Sequence, residues 1–309
     1  MGNLNRSAIL LLLLPVLHGL KAQQLPQLSQ YAFTDYLYNP AVAGSRPFFE
    51  LRSVHRNQWV GITDAPRTFM LSANTPLATN MGIGGYLYTD IVGPTRRTGV
   101  QFSYAYHLRL TEELRLSLAL SAGMVQWLVD GSKITFRDQG DPVLDDQLRG
   151  SLMPDAKFAF YLYHERFWFG ASAPQLLRGK IYFYDDVSQS MSQLAGHYYV
   201  SGGYRFQLGD DWRLEPSFLV KYVDPVPPKV DLTATVHFRD KIWLGGTYRT
   251  NDAISVMLGY WHNKQFQIGY AYDITTTNLR NYNNGTHEVM LAVTVGKEPR
   301  QQGGAEGRP

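Results

Sequence analysis

Eight histidines, a run of loop aspartates and a set of arginines, lysines and carboxylates placed at every second residue are the groups in this sequence with chemical potential. A metal reading would use His107, His197 and His237. They fall on segments distant from one another in sequence, with no helical i, i+4 pair and no carboxylate at ligand spacing, so they read as ordinary polar residues. Asp138, Asp141, Asp145 and Asp146 would offer oxygens to Ca²⁺, but they lack the alternating positions and closing glutamate of a calcium loop and read as a solvated surface loop. There is no cysteine, which removes disulfides, zinc-thiolate sites and thiol nucleophiles. A hydrolase would need Ser, His and an orienting acid or amide to converge in space, and no elbow motif marks such a set. The expectation is a protein that is not an enzyme and carries no cofactor and no metal.

The remaining charges share one face of alternating segments. Arg52, Arg56, Arg115, Lys157, Arg205, Lys221 and Arg249 stand against Glu50, Glu215, Asp231, Asp273 and Glu288. An ion-selective pore would show one sign in excess. Near balance instead predicts cross-strand pairing inside a wetted interior.

The elements that position these charges are strands. Leu114, Leu116, Leu118, Leu120, Ala122 and Met124 alternate with Arg115, Ser117, Ala119, Ser121 and Gly123, and the same period of two recurs along the chain. It predicts strands near 47–59, 67–75, 81–90, 97–110, 114–128, 154–163, 167–173, 197–208, 212–223, 230–238, 242–249, 253–261, 265–273 and 287–296. Three-residue turns at 111–113, 209–211, 239–241 and 262–264 alternate with longer links at 129–153, 174–196, 224–229 and 274–286. Short periplasmic turns alternating with longer outer loops, and an even strand count, define a transmembrane antiparallel β-barrel of about 14 strands with up-and-down topology. The stretch 158–163 is apolar on both faces, which leaves the register of the 154–173 hairpin unassigned. If 208 opposes 212, Arg205 faces Glu215; if 238 opposes 242, Asp231 faces Arg249. Trp127, Trp168, Trp212, Trp243 and Trp261, near strand ends, read as an interfacial aromatic girdle.

Arg6, the apolar run 8–17 and Leu20-Lys21-Ala22 have the layout of a cleaved signal peptide over residues 1–22, and no stretch reaches the roughly 18 apolar residues of a membrane-spanning helix. Without that leader 27 basic residues face 26 acids, too even a balance for a nucleic-acid partner. Residues 23–45 have no clean period and precede the barrel of 46–296. They are expected to form a periplasmic or lumenal segment, while 297–309 form a flexible Gly-rich tail. Tyr31, Tyr36, Tyr38, Asn39 and Pro40 in that segment, together with Trp59, are the candidate partner-binding residues.

Gln30-Tyr31, Tyr38-Asn39-Pro40-Ala41, Ala43-Gly44-Ser45, Gln58-Trp59-Val60-Gly61 and Ala65-Pro66-Arg67-Thr68 resemble the opening of the PorP/SprF family of type IX secretion system membrane proteins. Gly82-Ile83-Gly84, Tyr104-Ala105-Tyr106-His107-Leu108, Pro216-Ser217-Phe218-Leu219, Gly269-Tyr270-Ala271-Tyr272-Asp273 and His287-Glu288-Val289-Met290 continue the likeness in order across nearly all of the chain. The resemblance implies an outer-membrane protein of a Bacteroidetes-type cell, in contact with outer-membrane lipid. It also implies a role in protein secretion or gliding, with a secreted adhesin or other type IX cargo, or the periplasmic ring components of the machine, as partners. The rival reading from another class is a passive porin or solute-uptake channel.

Overall fold

The computed structural model describes residues 25–134, 148–181, 192–193, 195–223 and 226–296. The expected signal peptide, the aspartates of the 138–146 loop and the C-terminal tail lie outside these residues. Fourteen wall strands follow in sequence: β1 (Phe49–Asn57), β2 (Arg67–Ala78), β3 (Met81–Val92), β4 (Thr95–Arg109), β5 (Arg115–Asp130), β6 (Leu148–Tyr163) and β7 (Phe167–Ala173). They continue with β8 (His197–Tyr204, resumed after Arg205 by Phe206–Leu208), β9 (Trp212–Val223), β10 (Val226–Phe238), β11 (Ile242–Arg249), β12 (Ala253–His262), β13 (Phe266–Thr275) and β14 (Thr286–Val295). Each pairs antiparallel with its sequence neighbours, and β1 pairs with β14 from Phe49↔Val295 to Asn57↔His287, which closes the ring. Closure leaves no strand edge unpaired, the condition for a sheet to sit in lipid.

The period of two decides which side of the wall each residue faces. On β12, Ile254, Val256, Leu258 and Tyr260 stand exposed on the outside while Ala253, Ser255 and Met257 are buried inside. The same split on every strand gives an outer apolar band and a polar lining, the reverse of a soluble barrel. The ends of β1 and β14 share one rim with uniformly short turns, which in this layout is periplasmic; the longer links, such as 58–66 and 276–285, lie at the other, outer rim, beside short turns at 93–94 and 250–252.

Three expectations need correction, and one register left open is now assigned. The 224–229 link is almost wholly strand: β10 starts at Val226, opposite Val223, with a register shift where Pro227 and Pro228 cannot donate to the ladder. The 129–153 link is shortened because β6 already pairs at Leu148 with Asp130. Between β12 and β13 the turn is 263–265, one residue later than its spacing suggests, with Asn263 and Lys264 both in left-handed backbone. Finally, β6 and β7 pair from Phe158↔Ala173 to Tyr163↔Trp168, with Ala159 and Tyr161 inside and Phe158 exposed outside. The inner face there is apolar because it meets protein rather than water.

Candidate functional site

That protein is the chain's own N-terminal segment. Its start is at the outer rim, where the Leu25 amide donates to Nε2 of His197, the first residue of β8. Descending, Tyr31 meets Ser217 Oγ at 3.1 Å and Phe33 stacks on Trp243 at 4.0 Å, near the periplasmic rim. The single-turn helix α1 (Asp35–Tyr38) turns the chain back, and the Tyr36 hydroxyl donates to Ser103 Oγ at 3.0 Å. Asn39 then caps the 3₁₀ turn Pro40–Val42, accepting from the Ala41 amide at 3.0 Å and donating from Nδ2 to the Phe160 carbonyl at 2.9 Å. A second descent brings the Ala43 carbonyl to His107 Nε2 at 2.9 Å. It ends at Arg46, which pairs with Asp35 and, at 3.3 Å, with Glu50 of β1.

The wall is shaped to receive this path. Gly82, Ala105, Ala119, Ala159 and Ser172 are successive cross-strand partners on β3 to β7, and together they make an inward shelf of small side chains about 20 Å wide at roughly 4.8 Å per strand. The 3₁₀ turn packs against β4, β5 and β6 on it. Ser172 Oγ donates to the Tyr38 carbonyl at 2.6 Å. The fit leaves no spare methyl: a Cβ on Gly82 would stand 2.0 Å from the Ala43 carbonyl oxygen, and Gly44 crosses it at φ +74, where only glycine is unstrained.

On the opposite wall the lumen charges form one chain of alternating sign across β9, β10, β11, β13, β1 and β14. Lys221 Nζ is 2.7 Å from Asp231, Asp231 3.5 Å from Arg249, Arg249 3.4 Å from Asp273, Asp273 2.7 Å from Arg56 and Arg56 3.0 Å from Glu288. The chain also holds the N-terminal segment. Glu288 accepts the Ser29 and Gln30 amides at 2.7 and 2.9 Å, and Ser29 Oγ donates to Asp273 at 2.6 Å. Desolvated charges of this kind are tolerable only when each is paired and hydrogen-bonded. Leu28, Tyr31, Tyr36, Tyr38, Ala41, Val42 and Ala43 complete a core inside the barrel, and burial pushes the Tyr31 and Tyr36 phenols up to about 12, keeping both neutral.

A lumen filled by a segment that opens with Gln30-Tyr31 and runs through Tyr38-Asn39-Pro40-Ala41 directs comparison to known barrels. The family described as type IX secretion system membrane protein PorP/SprF matches residues 20–293. This chain belongs to that family. No curated protein sequence matches it. Among solved structures it is similar to the toluene transporter TbuX of Ralstonia pickettii, with a TM-score of 0.51 at 9% identity over 84% of this chain and 92% of that one. A FadL homologue of Pseudomonas aeruginosa gives 0.44 at 8% identity, over 80% and 88%. At such identity the likeness to TbuX is one of barrel fold alone.

In this PorP/SprF member, Tyr31, Tyr36, Tyr38, Asn39 and Pro40 come together in the lumen, all buried against the wall. Trp59 is elsewhere: it lies in the outer β1–β2 link, where its amide donates to Thr286 Oγ1 and its neighbour Val60 pairs with Gly285 and Asn284. Arg205 Nε is 3.5 Å from Glu215, and Asp231 is the direct strand partner of Arg249. Most of the expected tryptophan girdle is not one. Trp243 and Trp168 are buried in the lumen, Trp127 lies under the Arg97 guanidinium inside and Trp261 packs against the lumen core, while Trp212 is exposed outside. Strand parity signals this, since Trp243 shares its face with Arg249. Among the described residues no three His, Asp or Glu side chains gather as a metal site. The small-residue shelf escaped notice in the sequence because its members are 13 to 40 residues apart and align only through strand register.

Proposed function

We propose that this barrel works by holding a protein partner, without catalysis and without conducting solutes. The observation that carries this reading is the lumen segment, seated on a complementary shelf and tied down by a charge chain in which each member has an opposite neighbour. A channel needs a wetted path with unspent polar groups, and here those groups are used to hold the chain's own residues 25–46. Membership of the PorP/SprF family supports a secreted adhesin or other type IX cargo as the partner on the surface side, and the periplasmic ring of the machine on the other. Anchoring or helping export of such a cargo, in secretion or gliding, is the activity proposed.

A deletion strain scored for one surface adhesin and for bulk secreted protein tests this. Loss of the adhesin alone assigns a dedicated anchor, and loss of both assigns a machine component. Normal levels of both with impaired small-solute uptake would overturn the reading in favour of a porin.

A further inference from the structure

At the periplasmic rim, the wall and the lumen segment leave a cavity of about 280 Å³. Phe33, stacked on Trp243, and Trp261 give it aromatic walls. As in the lumen chain, its carboxylates bridge cations, but here they line an open cavity. Two carboxylates each serve two guanidiniums: Glu50 lies between Arg46 and Arg52, and Glu215 between Arg205 and Arg213. Asp35 and Asp240 take up part of Arg46 and Arg213. A guanidinium carries five donors, however, so capacity remains, and the buried Nε of Arg213 has no hydrogen-bond partner, standing 3.8 Å from Glu215. Arg46 seats the N-terminal segment, whereas Arg205, which donates to the Glu165 carbonyl at 3.0 Å, and Arg213, paired with Asp240, bind only the turns at the rim apart from Glu215 and keep donors toward the cavity.

Resting on the binding role proposed above, we propose that this vestibule takes a short segment of a periplasmic protein that presents an aromatic side chain beside a carboxylate. The turn residues Asp240 and Lys264 border it, so entry is from the periplasm. Its volume lies near the lower limit of about 300 Å³ for ligand pockets, which admits one or two side chains and no folded domain. The ring stacks offset or edge-on against Phe33 or Trp261, and the carboxylate meets the guanidinium forks of Arg205 and Arg213. A free inorganic anion would use the forks and leave the aromatic walls without a role.

The test uses the full-length protein in lipid nanodiscs and a fluorescein-labelled peptide with one phenylalanine between two aspartates, read by anisotropy. Replacing both aspartates by lysine, or the phenylalanine by alanine, is expected to weaken binding by about tenfold or more, the scale of one lost desolvated contact. Arg213→Glu is expected to remove the preference for the acidic peptide, and inorganic phosphate is expected not to displace it. Equal binding of the three peptides, displacement by phosphate, or an unchanged profile in Arg213→Glu would overturn the proposal. If Arg213→Glu does not insert, Arg205→Ala at the other fork, a third of whose side chain is exposed, serves in its place, with the same two outcomes. In cells, loss of surface cargo in the deletion strain but full display in Arg213→Glu overturns the vestibule alone; full display in both overturns the binding role beneath it.

Discussion

Two ion pairs that look alike on paper differ in what they do. Glu288 is fully buried, holds Arg56 at 3.0 Å and accepts two amides of the N-terminal segment, so its loss strands a buried guanidinium and two N–H groups. Glu288→Ala is therefore expected to destabilise the protein by about 3–5 kcal/mol and to expose residues 25–46 to protease. Arg205 pairs with Glu215 at 3.5 Å with a third of its side chain exposed, and Arg205→Ala is expected to cost about 1 kcal/mol or less. Thermal unfolding of the two variants in one detergent checks both, and equal shifts would contradict the distinction. The shelf makes a second demand. Ala159 is fully buried beneath the Pro40–Val42 turn, so Ala159→Phe is expected to leave the wall intact and unseat the turn, read as protease cleavage within 25–46 of a correctly inserted barrel. Charge partners such as Asp231 and Arg249 were legible in the sequence because a turn fixes the register on either side of it. The shelf was not, because small residues carry no signal until neighbouring strands align them.

At the scale of elements, the period of two located the strands, and the few long links marked the outer rim although that rim also carries the short turns 93–94 and 250–252. Where a strand lost that period, as at 158–163, the pattern left the register open, because the stretch faces lipid on one side and the lumen segment on the other; at Pro227-Pro228 it misled, because the strand starts at Val226 and the two prolines fall in a register shift where no donor is needed. The path of residues 25–46 could not be read at all, since its partners, such as Glu288 for Ser29, lie over 250 residues away. Topology is open to test. Cysteines placed at Asp64, in the outer β1–β2 link, and at Asp210, in a short turn, are expected to label with an impermeant reagent in intact cells at 64 only. Labelling at 210 alone would invert the barrel, and equal labelling would contradict the assignment of the rims.

For the whole molecule, the wall and the segment it encloses act as one unit. The segment enters at the outer rim, crosses the lumen and joins β1 at the periplasmic rim, so it touches the mouths from which cargo and machine would approach. A fourteen-stranded ring is wider than an eight-stranded barrel, whose side chains alone fill it, and residues 25–46 supply the missing interior. Planar-bilayer recording of the purified barrel, intact and with residues 25–45 deleted, tests this most directly. The intact protein is expected to show little steady conductance and the deletion to open stable channels; large, stable channels from the intact protein would contradict a plugged barrel that works by binding.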